Sequence, residues 1–140
     1  DIDNINVMGH SVITIENLTS FHTFSEPNMF VIYLGGYHNK IRREFIKKMY
    51  EKNPNINYLH FGDIDAGGFY ILEHLRRETG VEFKPYKMDI ETLKNYKGYT
   101  KKLTENDCIR LNRLLDSKYS HVIKFMLENN CKLEQESINL

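Results

Sequence analysis

A short apolar run, Asn57 to Phe61, passes straight into Gly62-Asp63-Ile64-Asp65 and then, through Ala66-Gly67-Gly68, into a segment of helical period. A continuous apolar run of that length reads as a strand covered on both faces. Ile71, Leu72 and Leu75 recur at helical spacing and Gly80 suits a C-cap, which predicts a helix over about 68–79. A strand delivered directly to a helix in this way belongs to a parallel sheet, because parallel strands need helical crossovers.

The rest of the chain follows the same plan. Val12 to Ile15 is a buried strand closing on Glu16, and 17–24 is a short helical or irregular connection that turns Phe21 and Phe24 inward. Met29 to Leu34 is a second buried strand, ended by Gly35-Gly36. An amphipathic helix over 39–52 follows, with Ile41, Phe45 and Met49 on its inner face, Ile46 and Tyr50 beside them, and Arg42, Arg43 and Lys47 outside. Glu82 to Met88 is a fourth strand, placed at an edge by Pro85. Asp89 caps a short helix through Leu93, Thr104 with Asp107 caps another, and Ser120 to Asn129 is the last. The expected fold is α/β: strands near 12–16, 30–34, 57–62 and 83–88 in one mainly parallel four-stranded sheet flanked by helices, with the first and third strands adjacent. The C-terminal third, about 104–140, is a helical appendage.

With 140 residues, of which 41% are hydrophobic, one domain with a real core is expected over 1–140. The 19 basic and 19 acidic residues cancel, which excludes a uniformly basic nucleic-acid coat and an acidic tail protein. The cancellation hides a polarity. No Lys or Arg precedes Lys40, after which Lys40, Arg42, Arg43 and Lys47, and later the 94–102 stretch, are strongly basic. No apolar run approaches the ~20 residues needed to span a bilayer. Two cysteines, Cys108 and Cys131, make no disulfide framework and suit a reducing cytoplasm. The chain opens on Asp1 rather than Met, so a longer parent is expected.

Ligands of such sheets bind beyond the carboxyl ends of the strands. Glu16 stands there on the first strand, Asp63 and Asp65 on the third, and Gly35-Gly36 on the second. Asp63 and Asp65, two apart, point the same way while Ile64 turns into the core. Three carboxylates do not all stay ionised at close quarters without a cation, and hard oxygens suit Mg²⁺ or Mn²⁺. Gly67-Gly68 would let helix amides approach a phosphate. The histidines form no metal-ligand spacing, and His60 reads as a packed strand residue. A P-loop and a nucleophile elbow are both absent.

Ile15-Glu16-Asn17 with Phe21, Gly35-Gly36, Gly62-Asp63-Ile64-Asp65 running to Gly68-Phe69-Tyr70-Ile71-Leu72, and Leu133-Glu134-Gln135-Glu136 together resemble the toprim domain, and most closely the C-terminal domain of JetD, the nuclease subunit of Wadjet anti-plasmid systems. The resemblance covers most of the chain, from Glu16 to Glu136. It implies a metal-dependent DNA endonuclease related to the A subunit of type IIB topoisomerases, working as a homodimer on double-stranded DNA presented by an SMC-like motor complex. It also implies Glu16, Asp63 and Asp65 as metal ligands and catalytic residues, Glu16 additionally as general base, with a role open for Glu134 or Glu136. Gly35, Gly36, Lys40, Arg42, Arg43 and Lys47 are the expected DNA-contacting set. The topoisomerase tyrosine nucleophile belongs to a part of the family without counterpart here, so none of the nine tyrosines is assigned that role. Two other readings are carried: a non-catalytic dimerisation or DNA-holding module on the same fold, and a small phosphotransferase with an aspartate nucleophile.

Overall fold

The computed structural model of the chain describes residues 10–35 and 39–138. Four strands, β1 (Ser11–Ile15), β2 (Met29–Tyr33), β3 (Tyr58–Phe61) and β4 (Lys84–Pro85), form one sheet of order β2-β1-β3-β4. Every pairing in it is parallel. The expected adjacency of the first and third strands is therefore met, and the α/β class with it. Val12, Ile13 and Ile15 on β1 are wholly buried, as central strands covered on both faces must be.

Helices make the crossovers, α1 (Leu18–Thr23), α2 (Lys40–Lys52) and α3 (Ala66–Thr79), and α4 (Ile90–Asn95), α5 (Glu105–Asn112) and α6 (Ser120–Asn129) follow the last strand. Their starts follow the side-chain chemistry of the sequence. Asn17, Asn39, Asp65, Asp89 and Thr104 each accept a hydrogen bond from a first-turn amide, and Thr104 with Asp107 completes a capping box. Gly80 ends α3 in the left-handed conformation, at φ 71°. No helix of the described residues is long and apolar enough to cross a membrane.

Three expectations need correction. The fourth strand is only Lys84–Pro85: the Tyr86 N–H gives its last rung to the His60 carbonyl at 2.7 Å, and Lys87, at φ 52°, turns the chain out of the ladder. α3 begins at Ala66, earlier than the glycines suggested, since Asp65 is its cap. On α2, Ile41 is 80% exposed, while Ile46 and Met49 are buried and Arg42 and Arg43 are half-buried rather than outside. A stripe at i, i+4, i+8 drifts by roughly 80° over two steps on a 3.6-residue helix. Met49 sets the inner face, so Ile41 has rotated off it. Arg42 takes the inner position instead, donating from Nη1 to the Leu34 carbonyl at 2.8 Å and lying over the Tyr33 ring.

The C-terminal segment returns to the sheet. Leu133 and Ile64 exchange backbone hydrogen bonds at 2.9 and 3.1 Å, and Lys132 and Lys101 do the same on the other side. The last residues described are thereby laid along the β3–α3 junction.

Candidate active site

β1 and β3 run in register, Thr14 opposite His60 and Ile15 opposite Phe61. Side chains alternate along each strand, so Thr14 and Glu16 from β1 share a face with His60 and Gly62 from β3. Glu16 folds into the space left by Gly62, where any Cβ would run into its carboxyl group. There Glu16 Oε1 meets His60 Nε2 at 2.7 Å, and His60 Nδ1 meets Thr14 Oγ1 at 2.7 Å.

Asp63 and Asp65 follow. The Gln135 backbone N–H donates to Asp63 Oδ1 at 2.7 Å, and the Gly68 N–H donates to Asp65 Oδ1 at 2.7 Å. Ile64 between them is wholly buried, as the two-residue spacing predicts. Each of the three carboxylates is thus turned to the protein through one oxygen. The second oxygen of each accepts no hydrogen bond among the described residues. Glu16 and Asp63 share the wall of an open, polar depression of about 420 Å³, together with Asn17, Tyr33, Gly35 and Gln135. Asp65 lies towards α5, where it feels Lys132, Asp107 and Arg110.

The electrostatics have one sign. Burial, and then the nearby Asp65, push Glu16 up to about 8. Burial raises Asp63 to about 6 against the Gln135 N–H, with Asp65, Glu16 and Glu134 adding to the rise. Asp65 is also raised, by burial, against the Gly68 N–H and Lys132. His60, wholly buried, is pushed down to about 3. The Glu16–His60 contact has ion-pair geometry, yet burial keeps the imidazole neutral and leaves the proton on Glu16 at neutral pH. We therefore read it as a neutral hydrogen bond.

This donor set fits a hard divalent cation. Its members are oxygen anions, and all three resist ionisation where they stand, which is the field a cation relieves. In this conformation no three His, Cys, Asp or Glu side chains among the described residues are gathered as a ready-made ion cage.

Of the two glycines in the first turn of α3, Gly68 serves the fold. Gly68 has its amide spent on Asp65, and a Cβ there would collide with the Asp63 carbonyl. Its role is close backbone packing. Gly35 adopts φ +68°, a left-handed turn ending β2. Gly36 lies outside the described residues.

Of the expected DNA-contacting set, Arg42 stands over Tyr33 and so beside the depression. Lys47 pairs loosely with Glu44 at 3.6 Å on the surface, and Lys40 is exposed at the first turn of α2. A second basic group was not expected at the site. Arg110 on α5 packs its guanidinium 5.3 Å above the Tyr70 ring, beside Gly67. Among the described residues no carboxylate lies within ion-pairing distance of it. Lys132 and Lys101, by contrast, are bound to Asp107 and Glu134, each at 2.6 Å.

Sequence reasoning missed two residues of the site. His60 is a packed strand residue as expected, but its ring also meets Glu16. The signal was Thr14-x-Glu16 on one strand beside His60-x-Gly62 on its neighbour, which alternation places on one face. Gln135 is wholly buried, donates from Nε2 to the Phe61 carbonyl at 2.8 Å and accepts from the Asn17 N–H at 3.1 Å. No local pattern announces a glutamine clamp 118 residues away in sequence. Glu134 and Glu136, on either side of it, stay at the surface, Glu134 held by Lys101.

A family model described as "Wadjet protein JetD, C-terminal" matches residues 2–140. The Wadjet protein JetD of Bacillus cereus (strain Q1) is 30% identical over 140 residues, covering 94% of this chain and 34% of the relative. The chain thus spans about a third of the length of the curated relative it matches. On the strength of the family model, which takes in nearly every residue of the chain, this protein belongs to the JetD C-terminal family.

Proposed function

We propose that this domain is the catalytic part of a metal-dependent DNA endonuclease acting in Wadjet-type plasmid defence. The observation that carries the reading is the placement of Glu16, Asp63 and Asp65 at the carboxyl ends of two adjacent parallel strands, each with one oxygen held and one open. Membership of the JetD C-terminal family supports it. Glu16, Asp63 and Asp65 would hold Mg²⁺ or Mn²⁺. A divalent ion bound there supplies the charge that polarises a phosphodiester and lowers the pKa of an attacking water.

The protein's own groups divide the remaining work. Gln135 and Gly68 orient the two aspartates through backbone N–H groups. Glu16 holds its proton at neutral pH in the metal-free protein; a bound cation would displace that proton and leave a carboxylate suited to take one from water. Arg42 and Arg110 flank the carboxylates and would hold phosphate, reading no sequence, because no element among the described residues is placed to enter a groove. Cytoplasmic double-stranded DNA, a second copy of the chain and an SMC-like motor complex are the partners this reading calls for.

The non-catalytic alternative is disfavoured by the intact three-carboxylate set. A phosphotransferase with an aspartate nucleophile is disfavoured because that chemistry usually carries its Asp-x-Asp on the first strand, whereas Asp63 and Asp65 follow β3.

Nicking of supercoiled plasmid by the full-length protein tests the proposal. Activity should require Mg²⁺ or Mn²⁺ and fall at least roughly 100-fold in Glu16→Ala, a loss in the range set by removing a proton-transfer group. Undiminished nicking by that variant, or nicking in excess EDTA, rules the reading out.

A further inference from the structure

Thr14, His60 and Glu16 form one hydrogen-bonded chain across β1 and β3. The His60 ring has no solvent exposure, and both its nitrogens are spent, Nδ1 on Thr14 Oγ1 and Nε2 on Glu16 Oε1, each at 2.7 Å. The single Thr14 hydroxyl proton has two acceptors in reach, Nδ1 and the Leu59 carbonyl at 3.3 Å; when Nε2–H donates to an ionised Glu16, that proton goes to Nδ1. Burying an imidazole is costly, and an apolar side chain would fill a core strand position at less cost. The near end of this one reaches a single group, the carboxyl of Glu16. Gly62 keeps the path between them clear, for a Cβ there would stand 3.0 Å from His60 Nε2 and collide with Glu16.

We infer that His60 is a positioning residue, which binds one oxygen of Glu16 so that the other is the oxygen presented to the depression shared with Asp63. The inference rests on the metal-dependent reading of the site and adds to it the group that aims Glu16. Thr14 aims His60 in turn. Neither touches the substrate. Groups behind a ligand in this way set its orientation, and their loss weakens metal affinity by roughly 10–100-fold.

The test is Mn²⁺ affinity of the metal-free, full-length protein, read from free Mn²⁺ by electron paramagnetic resonance, in a double-mutant cycle. His60→Leu should weaken binding by roughly 10-fold or more. In a Glu16→Ala background it should add nothing, because the effect passes through Glu16. His60→Gln, which keeps an amide within reach of Glu16, should recover most of the affinity. Thr14→Val, nearly the same shape without the bond, should lose a smaller factor. If His60→Leu does not fold, Thr14→Val and His60→Gln carry the comparison, and unchanged affinity in Thr14→Val overturns the inference. So does an equal effect of His60→Leu in both backgrounds, which is what a purely structural role produces. A Glu16→Ala protein that binds Mn²⁺ normally overturns the metal reading and this inference together. Weakened binding in Glu16→Ala with normal binding in His60→Leu removes the inference alone.

Discussion

Gln135 donates its backbone N–H to Asp63 Oδ1 at 2.7 Å, joining residues 72 positions apart. The same residue's side chain binds the Phe61 carbonyl and the Asn17 N–H, so one buried glutamine closes the ends of β1 and β3 around the site. Gln135→Ala strands the Asn17 N–H, while the Phe61 carbonyl keeps the Glu16 N–H at 3.3 Å. With a cost of 1–3 kcal/mol for a buried group left unpaired, the expected loss is roughly 1–3 kcal/mol. Urea unfolding in EDTA measures it, and a loss below roughly 0.5 kcal/mol would show that water replaces the side chain freely.

The raised carboxylates predict an unusual pH dependence. Glu16 titrates near 8 when folded, against 4.5 for the ordinary side chain, so the folded state binds the extra proton. Its contribution to stability is full below about 4.5 and disappears as pH rises through about 8. Asp63 behaves alike up to about 6. His60 acts oppositely: with a folded value near 3 against 6.5, it adds stability as pH rises across that interval. The opposing effects overlap in acid, which leaves pH 6.5 to 8 as the clean window. Metal-free protein should lose stability across it, and Glu16→Gln should lose markedly less. Denaturant midpoints at both ends of the window, in EDTA, decide this. A stability that rises with pH in the wild type would refute it.

Two glycine substitutions should separate packing from aim. In Gly68→Ala the new methyl meets the Asp63 carbonyl, which cannot move without opening the β3–α3 junction. Overpacking of this kind costs roughly 1–3 kcal/mol, visible as a lowered melting temperature. In Gly62→Ala the methyl meets the Glu16 carboxyl, the far end of a flexible side chain. Stability should fall less than in Gly68→Ala, while Mn²⁺ affinity falls because Glu16 leaves His60. Equal melting temperatures with unchanged Mn²⁺ affinity would contradict both assignments.

Arg110 gives a third handle. Held over Tyr70 beside the carboxylates, it should contact one DNA phosphate. Arg110→Ala should weaken binding equally for unrelated DNA sequences and flatten the plot of log affinity against log salt by roughly one unit. Mn²⁺ affinity in the absence of DNA should change little. An unaltered salt slope would mean that the guanidinium serves only to cover Tyr70.

Much of this was legible in the sequence. Apolar runs closing on Glu16 and on Asp63-Ile64-Asp65 are enough to predict a parallel sheet with its carboxylates at one edge, because burial on both faces and residue alternation are local properties. The caps of α4 and α5, Asp89 and Thr104 with Asp107, follow likewise from the side chains that begin them. What tertiary structure alone decided depends on partners distant in the chain. The period of α2 admitted Ile41 to the inner face. The packing of Met49, and the bond from Arg42 to Leu34, turned it out to 80% exposure. His60 was correctly read as packed, but its meeting with Glu16 required the register that sets Thr14 opposite it. Gln135 reaches the site only because Leu133 pairs with Ile64 and carries the C-terminal segment back across the sheet edge. Residue types and short-range spacing specify which groups stand at the strand ends. The hydrogen bonds that aim them span tens of residues, and those exist only once the chain has folded.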